Sequence, residues 1–167
     1  MTVRARRSQQ ERTQQTRMRL LRATIELIHE KGLAHTSTND VAEAAGVSRG
    51  ALTHHFESRE NLIADAVAQM LGEATRAIEI FAQDFSVGEG SSDEIIDFLW
   101  RLMSARLFHV TLEFLPEARH NDMFRARLVP VVAAWHVALD DIWTRLAQRS
   151  GVDADYARAL MSGTMCV

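Results

Sequence analysis

Residues 23–63 read ATIELIHEKGLAHTSTNDVAEAAGVSRGALTHHFESRENLI, and this stretch decides the fold. Its apolar residues recur at three- and four-residue steps, the period of an amphipathic helix. A first helix is expected to end at Lys31 and Gly32, because a basic last turn followed by glycine is a common C-terminal cap. We therefore expect a helix that buries one broad apolar face and stops before residue 33.

Two short helices are predicted directly after the first. Residues 36–40 (TSTND) open one of them, since hydroxyl and amide side chains can accept from the unpaired N–H groups of a first turn. Ser48 is placed to cap the next, which runs from Arg49 to about Phe56, and Ser58 then caps a fourth helix. Their spacing is that of a helix-turn-helix.

The turn between these helices has specific requirements. Gly46 must reach a positive φ, and Ala42 must be small where the two helices cross. Val47 and Leu52 are expected to fill the wedge between them. An α-helix of this kind fits the major groove of DNA, where every base pair presents a distinct set of donors and acceptors. The outer face of the third helix would then carry Arg49, Gly50, Thr53 and His54.

Residues 20–63 resemble the N-terminal domain of the TetR/AcrR family of repressors. The features that agree in one register are Lys31-Gly32, the hydroxyl cluster 36–38, VAEAAGVS at 41–48, Gly50, Leu52, His55-Phe56 and SRENL at 58–62. The resemblance implies an all-α fold, with an N-terminal three-helix helix-turn-helix domain followed by a helical effector-binding and dimerisation domain. The domains expected are a basic flexible arm (1–15), the DNA-binding domain (16–61) and the ligand-binding and dimerisation domain (62–167).

The resemblance also implies roles for individual residues. Arg49 is expected to contact a base, because a guanidinium can bind guanine O6 and N7 together. Thr53 departs from the tyrosine that is common in the family at this position, so operator preference cannot be copied from relatives. His55 and Phe56 match positions that pack the small domain together. The expected DNA-binding residues are Thr38, Ser48, Arg49, Gly50, Ala51, Thr53, His54, Arg59, Arg6 and Arg7.

Charge is divided unevenly along the chain. Residues 1–60 hold ten lysines and arginines against seven acidic residues, whereas residues 61–167 hold nine against fifteen. A basic end on an acidic body favours contact between the N-terminus and a polyanion, because neutralised phosphates release counterions. The alternative is that the arginine-rich start, including Arg6 and Arg7, is only a solvated tail.

Composition excludes several classes of protein. No apolar run approaches the roughly 20 residues of a membrane span, and the basic start is not followed by the apolar segment of a signal peptide. We therefore expect a cytoplasmic protein with no membrane partner. The single cysteine, Cys166, rules out an internal disulfide and a cysteine-based zinc cluster within one chain.

Helices are also predicted through the second half. Residues 87–92 form the clearest loop, the apolar helices after it are expected to end near Pro116, and Asn121 or Asp122 caps another helix in which Pro130 forces a kink or break. Asp153 opens a last helix. Relatives usually continue through one more helix into a four-helix dimer interface, so either this protein pairs through fewer helices or the chain is truncated.

Aromatic residues in this half are candidates for an effector pocket, although an aromatic at helical spacing is more often part of a core. A hydrophobic effector would fill an apolar pocket, and His136 is placed to orient a polar group on it. The pocket residues expected are Trp100, Met103, Phe108, Phe114, Trp135 and His136.

The sequence favours a regulator over two other classes. The histidines lack the spacing of a helical metal-ligand pair, and the chain lacks a glycine-rich phosphate loop and a nucleophile elbow, so we expect neither cofactor, metal nor enzyme activity. An enzyme or carrier is disfavoured by the helix-turn-helix block, and a nucleoid-type structural protein by the acidic second half. The expected protein is a repressor, released from double-stranded operator DNA by a small hydrophobic effector, that acts as a homodimer.

Overall fold

The fold, a computed structural model, is described over residues 9–87, 92–104 and 106–149. Over these ranges the chain is helical and contains no strand, which confirms the all-α prediction. None of the described helices is both long enough and apolar enough to cross a bilayer. The helices are α1 (Gln9–Lys31), α2 (Thr38–Ala44), α3 (Arg49–His55), α4 (Arg59–Val87), α5 (Ser92–Ser104), α6 (Arg106–His120) and α7 (Asp122–Arg149).

Helix α1 begins earlier and ends where the sequence predicts. It starts at Gln9, so residues 9–15, expected as part of a flexible arm, are helical, and residues 1–8 lie outside the described residues. At its other end, the N–H of Gly32 donates to the Ile28 carbonyl at 2.9 Å with φ at 83°. This left-handed residue stops the helix as expected. The buried face of α1 consists of Leu20, Leu21, Ala23, Thr24, Ile25 and Ile28.

Serine side chains cap the next three helices. Ser37 accepts from the Asp40 N–H at 3.2 Å, while the Asp40 carboxylate accepts from the Ser37 N–H at 3.1 Å, which is a capping box. Ser48 accepts from the Ala51 N–H at 3.2 Å. Ser58 accepts from the Asn61 N–H at 3.0 Å. The predicted starts of α2, α3 and α4 are therefore confirmed.

The helix end expected near Pro116 and the break expected at Pro130 are not found, and a kink at Pro130 stays a prediction. Pro116 lies inside α6, which continues to His120, and Pro130 lies inside α7. A proline removes one backbone donor and crowds the preceding turn, but packing on both sides can hold the helix together. Around Pro130 that packing is visible, because Leu128 and Trp135 are buried. The Asn121 side chain accepts from the Phe124 N–H at 3.0 Å and caps α7, as predicted.

The helices divide into two compact units. One runs through Gln69 and takes in His109–Arg125, and the other comprises Met70–Phe108 and the chain from Ala126 onward. In the first unit the rings of Phe114 and Phe124 lie 6.2 Å apart, and in the second Phe81 stacks on Phe98 at 4.1 Å. The unit that holds α1, α2 and α3 thus also includes most of α6. The predicted loop at 87–92 falls mostly, and the helix expected from Asp153 entirely, outside the described residues.

Candidate nucleic-acid interface

The turn between α2 and α3 is built by the backbone around Gly46. Its φ is 62°, a left-handed value that glycine adopts without a steric penalty. The Gly46 N–H donates to the Glu43 carbonyl and the Val47 N–H donates to the Ala42 carbonyl, both at 2.9 Å. This pair of bonds is a Schellman motif, which ends α2. The positive φ predicted for Gly46 is confirmed.

The inner faces of α2 and α3 join a small core with α1. Leu52 is 2% exposed and is the buried residue of α3. Ala42 is buried as well, which agrees with the requirement for a small side chain where helices cross. Val47 is half-buried. Burial of this apolar face fixes which side of α3 points outward.

The outer face of α3 is exposed. Arg49, Thr53 and His54 all point away from the core, as the spacing predicts. Gly50 leaves open space beside them, because a Cβ at this position would meet only the Ser48 hydroxyl at 4.0 Å. The Thr53 hydroxyl donates to the Gly50 carbonyl at 3.1 Å and keeps its lone pairs for a donor on a base. A guanidinium, an imidazole and a hydroxyl therefore share one exposed helix face, suited to hydrogen bonding with base edges.

The remaining expected DNA contacts on α2 and α3 lie near the helix starts. Thr38 is the first residue of α2 and is half-buried, whereas Ser48 is exposed and caps α3. Ala51 is half-buried behind them.

Lys31 donates to Asp40 at 2.6 Å, and this hydrogen bond, together with those from Ser37, holds the pKa of Asp40 down to about 2. Asp40 is therefore ionised at the start of α2, where the helix dipole favours negative charge.

Arg59 makes contacts that the sequence did not indicate. Its Nε donates to the Thr36 carbonyl at 2.9 Å and its Nη2 donates to the Leu33 carbonyl at 2.5 Å. The side chain therefore ties the start of α4 to the segment before α2. A phosphate contact from Arg59 stays a prediction, and it would have to use the remaining N–H groups of the guanidinium.

His55 and Phe56 lie on the packed side of the domain. Phe56 is buried, and the Arg17 guanidinium carbon lies 5.2 Å from its ring centroid. Arg17 also donates to Asp65 at 2.5 Å, which links α1 to α4. Burial lowers the pKa of His55, and the charges of His54 and Arg17 lower it further. The predicted packing role is confirmed for Phe56, and His55 is half-buried beside it.

The residues expected to line an effector pocket are not all in one environment. Phe114 and Trp135 are buried, and they belong to different compact units. Trp100 is 71% exposed, and Met103, Phe108 and His136 are exposed too. The pocket therefore stays a prediction. Among the described residues no group of three His, Cys, Asp or Glu side chains is placed to hold a metal ion.

These features define a class of protein, the helix-turn-helix transcriptional regulators. Their DNA-binding element is a short helix with a polar outer face, which a tight turn joins to a second short helix. Residues 20–66 match the family model described as bacterial regulatory proteins of the tetR family. The N-terminal segment 20–66 of this chain is therefore that of a TetR-family regulator.

Similar proteins agree with this assignment. The chain is 24% identical to the HTH-type transcriptional regulator CymR of Pseudomonas putida, over 93% of this chain and 77% of that protein. Among solved structures, its fold is similar to a TetR-family regulator of Mesorhizobium loti, with a TM-score of 0.69, 17% identity and coverage of 83% of this chain and 71% of that one. It is also similar to FadR of Bacillus subtilis in complex with stearoyl-CoA, with a TM-score of 0.64, 22% identity and coverage of 88% and 81%. The curated relatives are named as transcriptional regulators, not as enzymes.

Proposed function

We propose that this regulator is a cytoplasmic repressor, which binds operator DNA as a homodimer and leaves it when a small hydrophobic effector binds. One observation carries the DNA-binding part: the exposed face of α3, with Arg49 at its start and His54 near its end, stands next to the Gly46 turn. The major groove of DNA is wide enough to admit an α-helix such as α3. Two copies of α3 in a dimer would read two half-sites, because one short helix gives little specificity.

Within this proposal, the residues around α3 have separate tasks. Arg49 makes the main base contact, and Thr53 and His54 touch neighbouring bases or backbone. Gly50 and Ala51 let the helix approach closely. Phosphate contacts position the protein without reading sequence, and we assign them to Thr38, Ser48, Arg6 and Arg7.

The effector part of the proposal has two supports. The fold is similar to that of FadR, whose structure contains stearoyl-CoA, so a hydrophobic ligand is compatible with this architecture. In addition, α6 contacts the end of α1: Glu113 accepts from the Leu33 N–H at 3.0 Å, and the rings of His29 and His109 lie 5.5 Å apart in a T-shaped contact. A ligand that binds one arrangement of α6 better would shift the population of DNA-binding states.

The DNA-binding part is tested with duplexes selected by the protein from a randomised library. Arg49→Ala is expected to weaken binding to the preferred duplex by roughly 10- to 100-fold, because a bidentate contact to guanine is lost. Arg101→Ala removes an exposed arginine from α5 and is the matched control, for which we expect no change. Unchanged binding by Arg49→Ala would reject the role of α3.

The effector part is tested separately. Long-chain acyl-CoA and smaller apolar compounds are added to the complex of the protein with its preferred duplex, and release is followed by fluorescence anisotropy. We expect at least one compound class to release the DNA at a concentration that leaves the protein folded. A panel in which every compound leaves the complex intact would contradict control by a hydrophobic effector and leave DNA binding unaffected.

A further inference from the structure

A side chain from α1 reaches the turn between α2 and α3. Arg19 Nη2 donates to the carbonyl of Ala45 and to that of Gly46, the latter at 3.0 Å. Ala45 and Gly46 lie 26 and 27 positions after Arg19 in the sequence. The same nitrogen would lie 2.9 Å from a Cβ built on Gly46, a distance that real Cβ atoms essentially never show. Glycine at position 46 thus permits both the left-handed backbone and the approach of Arg19.

The backbone hydrogen bonds of the turn do not use these two carbonyls. The Schellman motif already occupies the carbonyls of Ala42 and Glu43. The last carbonyls of a helix have no partner inside it and carry the negative end of the helix dipole. A guanidinium makes charge-assisted bonds to them, which are stronger than neutral ones. Arg19 therefore adds hydrogen bonds to the turn from outside the two helices that the turn joins.

The orientation of α3 depends on this turn. Helix α3 starts at Arg49, three residues after Gly46, so a small rotation of the backbone at Gly46 would move the whole exposed face of α3. Sequence-specific contacts need donors and acceptors aligned with base edges, whereas phosphate contacts tolerate displacement. Loss of Arg19 is thus expected to affect specific binding far more than nonspecific binding.

We infer that Arg19 is a positioning residue, which fixes the α2–α3 turn so that α3 presents its polar face to the bases. The inference rests on the proposed function, since it concerns how this DNA reader obtains its specificity. Arg19 is itself exposed and cationic, so the competing role is a direct contact with a DNA phosphate. The two roles differ in how binding depends on salt.

The experiment compares Arg19→Met with Arg22→Met. Methionine keeps an unbranched side chain and removes the donors, and Arg22 is an exposed arginine one turn further along α1. Both variants and the original protein are titrated with the duplex that the original protein selects from a randomised library, and with a scrambled duplex of the same composition. Titrations run at several salt concentrations, at a temperature where circular dichroism shows equal helix content.

A positioning role predicts that Arg19→Met weakens binding to the selected duplex on the order of tenfold, with little change on the scrambled duplex and the same salt dependence. Arg22→Met should leave the ratio of the two affinities unchanged. A similar loss on both duplexes, with the slope of log affinity against log salt reduced by about 0.9, would show a phosphate contact and overturn the inference. Unchanged affinity for both duplexes would overturn it too.

Amide hydrogen exchange supplies a readout that does not depend on DNA. If Arg19 holds the turn, the Val47 amide should exchange faster in Arg19→Met, while the amide of the buried residue Ile28 in α1 should not. Equal protection at Val47 in both proteins would contradict the inference. An original protein that selects no preferred duplex would overturn the proposed function, and the exchange rates would still decide whether Arg19 holds the turn.

Discussion

The segment from α1 to α3 and the pair of helices α5 and α7 differ in how many of their large apolar side chains are buried. In the first, helix ends are closed by identified partners, such as Ser37 with Asp40, and the apolar residues are buried in one small core. In the second, large apolar side chains are exposed, among them Ile96, Trp100, Val129 and Val137. Where such side chains form one patch, they are typical of sites that bind ligands or other subunits. The segment from α1 to α3 thus buries its own apolar face, whereas α5 and α7 leave apolar side chains exposed, as the ligand or subunit contacts that we propose would require.

The largest difference between the two regions should be seen in the free energy of unfolding. Leu52 is 2% exposed, so Leu52→Ala is expected to cost about 2 to 5 kcal/mol through lost burial and a new cavity. Trp100 is 71% exposed, so Trp100→Ala should change stability by no more than about 0.5 kcal/mol. Urea unfolding followed by circular dichroism measures both. A cost for Trp100→Ala as large as that for Leu52→Ala would show that the indole is covered in solution.

A smaller loss of stability is expected when Arg59 is replaced. The alternative to its role within the fold is a contact with a DNA phosphate. Arg59→Met removes two hydrogen bonds to the carbonyls of Leu33 and Thr36, and partial exposure reduces their worth to about 1 kcal/mol in total. We expect lower stability in urea, with the salt dependence of DNA binding unchanged. Arg101→Met on α5 is the control. A slope reduced by about 0.9 would instead support the phosphate contact predicted from sequence.

The smallest expected effect is a pH dependence at His55. Burial, followed by the charges of His54 and Arg17, lowers the pKa of His55, so the folded chain favours the neutral ring. As pH falls, the unfolded chain binds the proton first, and stability decreases. The contribution of the neutral His55 ring to the free energy of unfolding is complete above about pH 6.5, which is the ordinary pKa of histidine. It is lost as pH falls through the lowered pKa of His55 in the folded state.

Urea midpoints at pH 7.5 and pH 5 measure this effect. His55→Gln should reduce the difference between the two midpoints, whereas His35→Gln, which changes an exposed histidine, should not. The same difference in both variants would mean that other groups cause the pH dependence.

Signals carried by neighbouring residues were the ones that sequence reasoning interpreted correctly. The caps at Ser48 and Ser58 and the left-handed Gly46 each depend on a few adjacent residues, so the pattern predicts them. The helix end expected near Pro116 and the break expected at Pro130 were wrong, because helix continuation also depends on packing at neighbouring turns, as at Leu128 and Trp135 beside Pro130. The roles of Arg19 and Arg59 were missed, since their carbonyl partners lie more than 20 residues away.

The amino-acid order by itself determined that this protein is helical, that α2 and α3 form a DNA-reading pair, and which side of α3 is polar. It did so because turn conformation, helix caps and helical periodicity are short-range properties of the backbone and its nearest side chains. Only the tertiary structure decided which arginine side chains hydrogen-bond to backbone carbonyls within the protein and which aromatic residues are buried. Those outcomes depend on distances between segments far apart in sequence, and no local pattern records such distances.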